Sequence, residues 1–156
     1  MSVEREALVE RLKQSHLATR DVVDGVDPEF PVHTESGWTV RDILGHIGAW
    51  DSQAARSLRA FGVGTEYSLT DGDDEAFNQQ EYQRLRQLDA AQSYAASEGS
   101  RDELIGAIEQ LPDGLDAGTL LYPWRERGSL SQLIDEMVEH DVEHREELSE
   151  AIRATR

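Results

Sequence analysis

The chain has 156 residues, enough for one domain with a sizeable core. Its 32 acidic residues against 15 basic ones give a formal charge of −17 at pH 7, which repels nucleic acid and anionic lipid at long range. The absence of cysteine excludes disulfides, thiolate metal ligands and a cysteine nucleophile.

The first stretch, Met1-Ser2-Val3-Glu4-Arg5-Glu6, lacks the apolar run of a signal peptide. From about Val3 to Val23 the pattern is helical: Val9, Leu12, His16, Thr19 and Val23 recur at steps of three and four. Asp24-Gly25 and Asp27-Pro28 stop this helix, and a loop with Pro28, Pro31 and Gly37 follows. Thr39 is then placed as an N-cap with Asp42 in the first turn. Ile43, Ile47, Trp50, Ala54 and Phe61 share one face of the second helix, which ends at Gly62 and Gly64.

Residues 62–89 are the least periodic. A short helix is expected from about Asp74 to Arg86, anchored by Phe77 and Tyr82, with Asp71, Asp73 and Asp74 suited to its N-terminal dipole. Asp89 can cap a third long helix whose inner face carries Tyr94, Arg101, Leu104, Ile105, Ile108 and Leu111. Ser100 and Glu103 form a possible restart after Gly99, but the apolar spacing stays in phase across the glycine, so one unbroken helix is expected. Pro112 to Gly128 reads as a loop carrying Tyr122, Pro123 and Trp124. Ser129 and Gln132 make a capping box for a last helix to about Arg153, with Leu133, Met137, Leu148 and Ile152 near one face. No period-two strand and no internal repeat is evident. Nor does any run of about 18 apolar residues occur, so nothing is expected to cross a membrane and a cytoplasmic location follows by default. Four long amphipathic helices predict an all-α, four-helix bundle, in one domain covering residues 1–156.

Five histidines occur: His16, His33, His46, His140 and His144. His140 and His144 stand four residues apart, so on a helix both imidazoles reach the same side, one turn apart, beside Met137 and Leu148. Burying imidazoles among apolar side chains is unfavourable unless their nitrogens find partners. His46 has a similar setting in Ile43-Leu44-Gly45-His46-Ile47-Gly48-Ala49-Trp50. Two readings stand: ordinary bundle histidines, or three imidazole ligands from two helices. Three protein ligands and an open position are the pattern of catalytic zinc. His16 reads as a partly buried bundle histidine and His33 as a loop residue. The spacing of His140, Glu143 and His144 also fits H-x-x-E-H, but only 12 residues follow His144, and such enzymes need a further distant ligand and a much larger catalytic domain.

Two segments carry a family resemblance: Gly37-Trp38-Thr39-Val40-Arg41-Asp42-Ile43-Leu44-Gly45-His46-Ile47-Gly48-Ala49-Trp50, and His140-Asp141-Val142-Glu143-His144-Arg145. They resemble the DinB superfamily, also called the YfiT-like metal-dependent hydrolases, in its tryptophan, helix start and histidine and in its two-histidine terminal helix. The resemblance implies an up-down-down-up bundle with a long crossover between the second and third long helices, which residues 62–89 would supply. It also implies one divalent metal ion, nickel or zinc, held by residues matching His46, His140 and His144, and a homodimer in many relatives.

The function expected from this is a metal-dependent enzyme acting on a small-molecule substrate. The resemblance implies thiol-dependent S-transferase or isomerase chemistry, with hydrolysis as the close variant. Because the chain has no cysteine, the thiol would be a low-molecular-weight cosubstrate. Glu136 and Glu147 flank the histidine pair, either as partners of the ligands or as solvated acids. Asn78, Tyr82, Trp124 and Arg125 either line the mouth of a pocket or merely pack. The alternatives are non-catalytic sequestration of a small molecule and a protein-association bundle whose metal site is structural or vestigial.

Overall fold

A computed structural model describes residues 1–70, 72–115 and 118–155. Its elements are α1 (Val3–Val23), α2 (Val40–Gly62), α3 (Asp74–Arg86), α4 (Ala90–Glu109), β1 (Leu120–Leu121), β2 (Arg127–Gly128) and α5 (Leu130–Arg153). The described residues are thus mostly helical, with five helices and one small hairpin.

Side chains fix where the helices begin. Ser2 caps α1 by accepting from the Arg5 backbone N–H at 3.1 Å. Capping boxes start α2 (Thr39 with Asp42), α4 (Asp89 with Gln92) and α5 (Ser129 with Gln132). Helix α4 runs unbroken through Gly99. Asp73 is the N-cap of α3, with Asp74 and Glu75 in its first turn; Asp71 lies outside the described residues.

The expectation of no strand needs correction. Leu120 pairs with Gly128 and Leu121 with Arg127, antiparallel, inside the predicted loop. Two residues per strand are too few to leave a period-two signature.

Helix α2 packs most extensively on α4 and α1 on α5, with α1–α4 and α2–α5 contacts completing a bundle-like arrangement. The α2–α4 approach is close at Gly48, where a Cβ would lie 3.1 Å from the Ser97 Cα. Contacts between α1 and α5 climb together, Arg11 meeting Asp135 and Ser15 meeting Asp141. Those between α1 and α4 run oppositely, Arg5 reaching the Leu111 carbonyl and Leu12 offering its carbonyl to Arg101.

Apolar burial divides into two clusters. One gathers Leu12, Trp50, Leu58, Leu104, Ile108, Leu133 and Met137; the other gathers Val23, Val40, Ile43, Leu44, Ile47 and Leu148. Along α5 the histidines lie between Met137 of the first and Leu148 of the second. Among the described residues, no helix is long and apolar enough to cross a membrane.

Candidate metal centre

His46 on α2 faces His140 and His144 on α5. The Nε2 atoms of His46 and His140 are 3.1 Å apart, and those of His140 and His144 are 3.0 Å apart. The three rings meet edge to face, with centroids 4.5 to 5.0 Å apart. Burial, then the neighbouring imidazoles and His33, pushes His46 from 6.5 down to about 3. Burial, then His144, pushes His140 down to about 4. Both rings are therefore neutral at pH 7 and keep a lone pair.

Such a cluster is poorly satisfied by hydrogen bonds alone. Each Nε2 has one in-plane position, which carries either a proton or a lone pair. His140 Nε2 faces two other nitrogens and can bond properly to only one. A cation between them takes a lone pair from each. Two nitrogens about 2.1 Å from a common ion lie about 3.0 Å apart at right angles and about 3.4 Å apart at the tetrahedral angle. The His46–His140 and His140–His144 separations match the first case, and three imidazole donors suit nickel or zinc. The group His46, His140 and His144 can thus hold a metal ion; its ligand atoms all lie within 4.8 Å of one another.

The surroundings orient the rings. Trp38 packs on His46 at 5.5 Å between centroids and stacks flat on Tyr82 at 5.4 Å. Glu147 sits between two imidazoles. It accepts from His33 Nε2 at 2.7 Å and stands 3.4 Å from His144 Nδ1, close but off-line for a hydrogen bond. His140 Nδ1 is buried with no hydrogen-bond partner.

Beneath the histidines lies a buried ionic group. Arg101 on α4 donates to Asp51 through Nε and Nη2 at 2.9 and 3.1 Å, and to Asp141 through Nη1 and Nη2 at 3.0 and 2.8 Å. Its Nη1 also reaches the Leu12 carbonyl at 3.0 Å, and Ser15 Oγ donates to Asp141 at 2.7 Å. All three charged side chains are at most 2% exposed. Burial pushes the Asp51 carboxyl up, and the Arg101 guanidinium opposes the shift. The cluster joins all four long helices next to His140.

A cavity of about 580 Å³ opens beside the triad, bordered by His140, Trp50, Trp124, Arg125, Glu136 and Met137 among others. Trp124, Arg125 and Glu136, singled out in the sequence, thus meet at one place. Asn78 takes part indirectly, accepting from Trp50 Nε1 at 2.8 Å. Tyr82 is held by Trp38 instead. Arg125 adopts a φ of 75° at the turn of the hairpin, a left-handed conformation that is uncommon without glycine. Its Nη1 ties that turn to Asp74 at 3.0 Å and to the Leu69 and Thr70 carbonyls.

Sequence reasoning missed the roles of Asp51 and Asp141 and the contact from His33 to Glu147. One signal was present: Arg101 occupies an apolar-face position on α4, and a buried guanidinium requires acid partners. His33 gave none, since its partner is 114 positions away. His16 is a partly buried bundle histidine, bonded to Glu98 at 2.8 Å.

The chain belongs to the DinB superfamily, whose family model matches residues 4–148. A search of curated proteins found no match. Among solved structures, the fold resembles a mycothiol-dependent maleylpyruvate isomerase, with a TM-score of 0.71 and 17% identity over 90% of this chain. A histidine-to-alanine mutant of that isomerase aligns with a TM-score of 0.68 and 19% identity over 90% of this chain. In both cases this chain spans only 60% of the length of the other.

Proposed function

We propose, on the premise of DinB-superfamily membership, that this chain is a metal-dependent enzyme in which His46, His140 and His144 hold one divalent ion, nickel or zinc, for thiol-dependent transfer or isomerisation of a small molecule. The observation that carries this reading is the gathering of three imidazoles from α2 and α5, with His140 Nε2 lying 3.1 Å from His46 Nε2 and 3.0 Å from His144 Nε2. The thiol dependence named for the structural relative supports the choice of cosubstrate. The reading takes residues 1–156 as a single domain with an up-down-down-up helix order, which the opposed α1–α4 and concordant α1–α5 contacts support.

Neutral imidazoles leave the ion its full charge, and its Lewis acidity favours the deprotonated form of a thiol or water ligand. The protein's own part is binding and orientation. Trp50, Trp124 and Met137 give the cavity apolar walls that hold a substrate body and exclude water. Glu147 stands 3.4 Å from His144 Nδ1, near enough to accept its N–H after a small turn of the ring, the contact that partners of metal-ligating histidines make. Arg125 pins the hairpin turn onto the α2–α3 connection and so fixes the wall that carries Trp124. The chain has no cysteine, so the nucleophilic sulfur arrives with a cosubstrate.

The test is conjugation of a panel of low-molecular-weight thiols to a model electrophile such as monochlorobimane. Metal-loaded wild type should accelerate the reaction with at least one thiol, and chelation or His144→Ala should abolish the effect. Acceleration that survives both treatments, or none with any thiol, contradicts the thiol-dependent reading.

A further inference from the structure

We infer that Arg101 is a positioning residue for the metal site: its guanidinium sets the angle and spacing of α5 against α2, and so holds His140 and His144 within reach of His46. The inference deepens the proposed function and rests on that reading for the presence of a metal ion.

Among the described residues, α2 packs chiefly on α4 and α5 chiefly on α1, while the two ligand-bearing helices meet less extensively. Helices α2 and α4 dock as one unit: Gly48 lies against Ser97, and one turn on Ser52 Oγ donates to Ser100 Oγ at 2.9 Å. Arg101, the next residue of α4, ties that unit across to α5. Its five N–H groups make five hydrogen bonds: two to the Asp51 carboxylate of α2, two to the Asp141 carboxylate of α5 and one to the Leu12 carbonyl of α1. A planar guanidinium with every donor used fixes both carboxylates in direction as well as in distance. All three charged side chains are buried, so bulk water does not compete for these bonds.

Asp141 follows His140 directly in the chain and so lies about 100° round α5 from it. Clamping Asp141 therefore sets the rotation of α5. An imidazole Nε2 reaches about 5 to 6 Å from its helix axis, so a turn of about 10° sweeps it by about 1 Å. Metal–ligand distances tolerate only about 0.2 Å. The apolar face of α5, with Leu133, Ile134, Met137 and Leu148, drives its docking, but burial of area is non-directional; the forked contacts at Asp141 add the angle. Charge acts in the opposite sense. A guanidinium near the triad repels a divalent ion, so an Arg101 that acted through its charge alone would weaken metal binding, and its loss would tighten it. An Arg101 that acts as a brace strengthens binding, and its loss weakens it.

The experiment measures zinc and nickel affinity of the full chain by competition with a chromophoric chelator, at a temperature where circular dichroism shows each protein fully helical. Arg101→Lys keeps the charge but cannot fork to both carboxylates, and should bind metal at least about tenfold more weakly than wild type. Arg101→Met removes the charge and should weaken binding as well. Ile108→Ala, at a buried position of α4 about two turns from Arg101, is the control for stability alone. It should lower the urea midpoint yet bind metal as wild type does. If neither Arg101 variant folds, Asp51→Glu carries the test: it keeps the charge, lengthens the tie by one methylene and should show the same weakening. A folded Arg101→Lys or, in its place, Asp51→Glu protein that binds within about tenfold of wild type, tighter binding by Arg101→Met, or an equal loss in Ile108→Ala overturns the inference and leaves the proposed function standing. Wild type that binds neither metal removes both.

Discussion

His46 and His140 are 94 positions apart in the chain and on different helices, yet their Nε2 atoms lie 3.1 Å from each other. With His144 one turn further along the same face of α5 as His140, the cluster closes across the α2–α5 contact. A ligand binding all three rings therefore binds the folded chain and not the unfolded one.

Metal should accordingly stabilise the fold by mass action. At free metal about a thousandfold above its dissociation constant, the gain is about 4 kcal/mol, or roughly 10 °C in melting temperature. Thermal melts with zinc or nickel, against the same protein in chelator, measure this. Superimposable melts would mean that the cluster holds no ion.

The triad also predicts a pH dependence of the metal-free chain. His46 and His140 titrate at about 3 and about 4 when folded, against 6.5 when free. Below 6.5 the unfolded chain takes up protons that the folded one refuses, so stability falls with pH through that window and levels off only below the folded values. Denaturant midpoints should therefore drop for wild type relative to His46→Gln/His140→Gln as pH falls from 6.5 toward 4. A difference that stays constant with pH would show that these rings already carry protons in the fold.

Arg101 holds two buried carboxylates at once. Replacing it with methionine leaves Asp51 and Asp141 buried without a counter-charge and should cost about 3 to 5 kcal/mol by chemical denaturation. Lysine should rescue little, because a single ammonium cannot reproduce the two forked contacts. A loss below about 1 kcal/mol would place the cluster in a far wetter setting than its burial implies.

Two glycines should respond in opposite senses. Gly99, inside α4, has open space where a Cβ would go, so Gly99→Ala should stabilise by up to about 1 kcal/mol. Gly48 faces the Ser97 Cα at 3.1 Å, backbone that yields only if α2 and α4 separate. Gly48→Ala should destabilise by about 1 to 3 kcal/mol. Equal effects in urea denaturation would contradict the close α2–α4 packing.

The helices were legible because their signals are local. The N-caps at Thr39 and Asp89, the capping box at Ser129 and apolar spacing of three and four gave boundaries that agree with the structure to within a residue or two. Pattern brought His140 and His144 together on one helix and flagged His46 in an otherwise apolar turn, but left two readings open; the DinB resemblance is what joined the three as one candidate site. The hairpin was not legible, since Leu120–Leu121 and Arg127–Gly128 are defined by pairing to each other and not by pattern. Nor were the partners of Arg101 and His33, which depend on how α4 and the loop before α2 dock on α5. Arg101 advertised a need for acids; with 32 acidic residues in the chain, nothing local singled out Asp51 and Asp141.

Metal stoichiometry by inductively coupled plasma mass spectrometry tests the central claim most directly. Wild-type protein reconstituted with zinc or nickel and freed of excess should retain one ion per chain, and both His46→Ala and His140→Ala should lose it while keeping their helical circular dichroism. A folded His46→Ala protein that retains a full equivalent, or a wild type that retains none, would contradict a shared site built by α2 and α5.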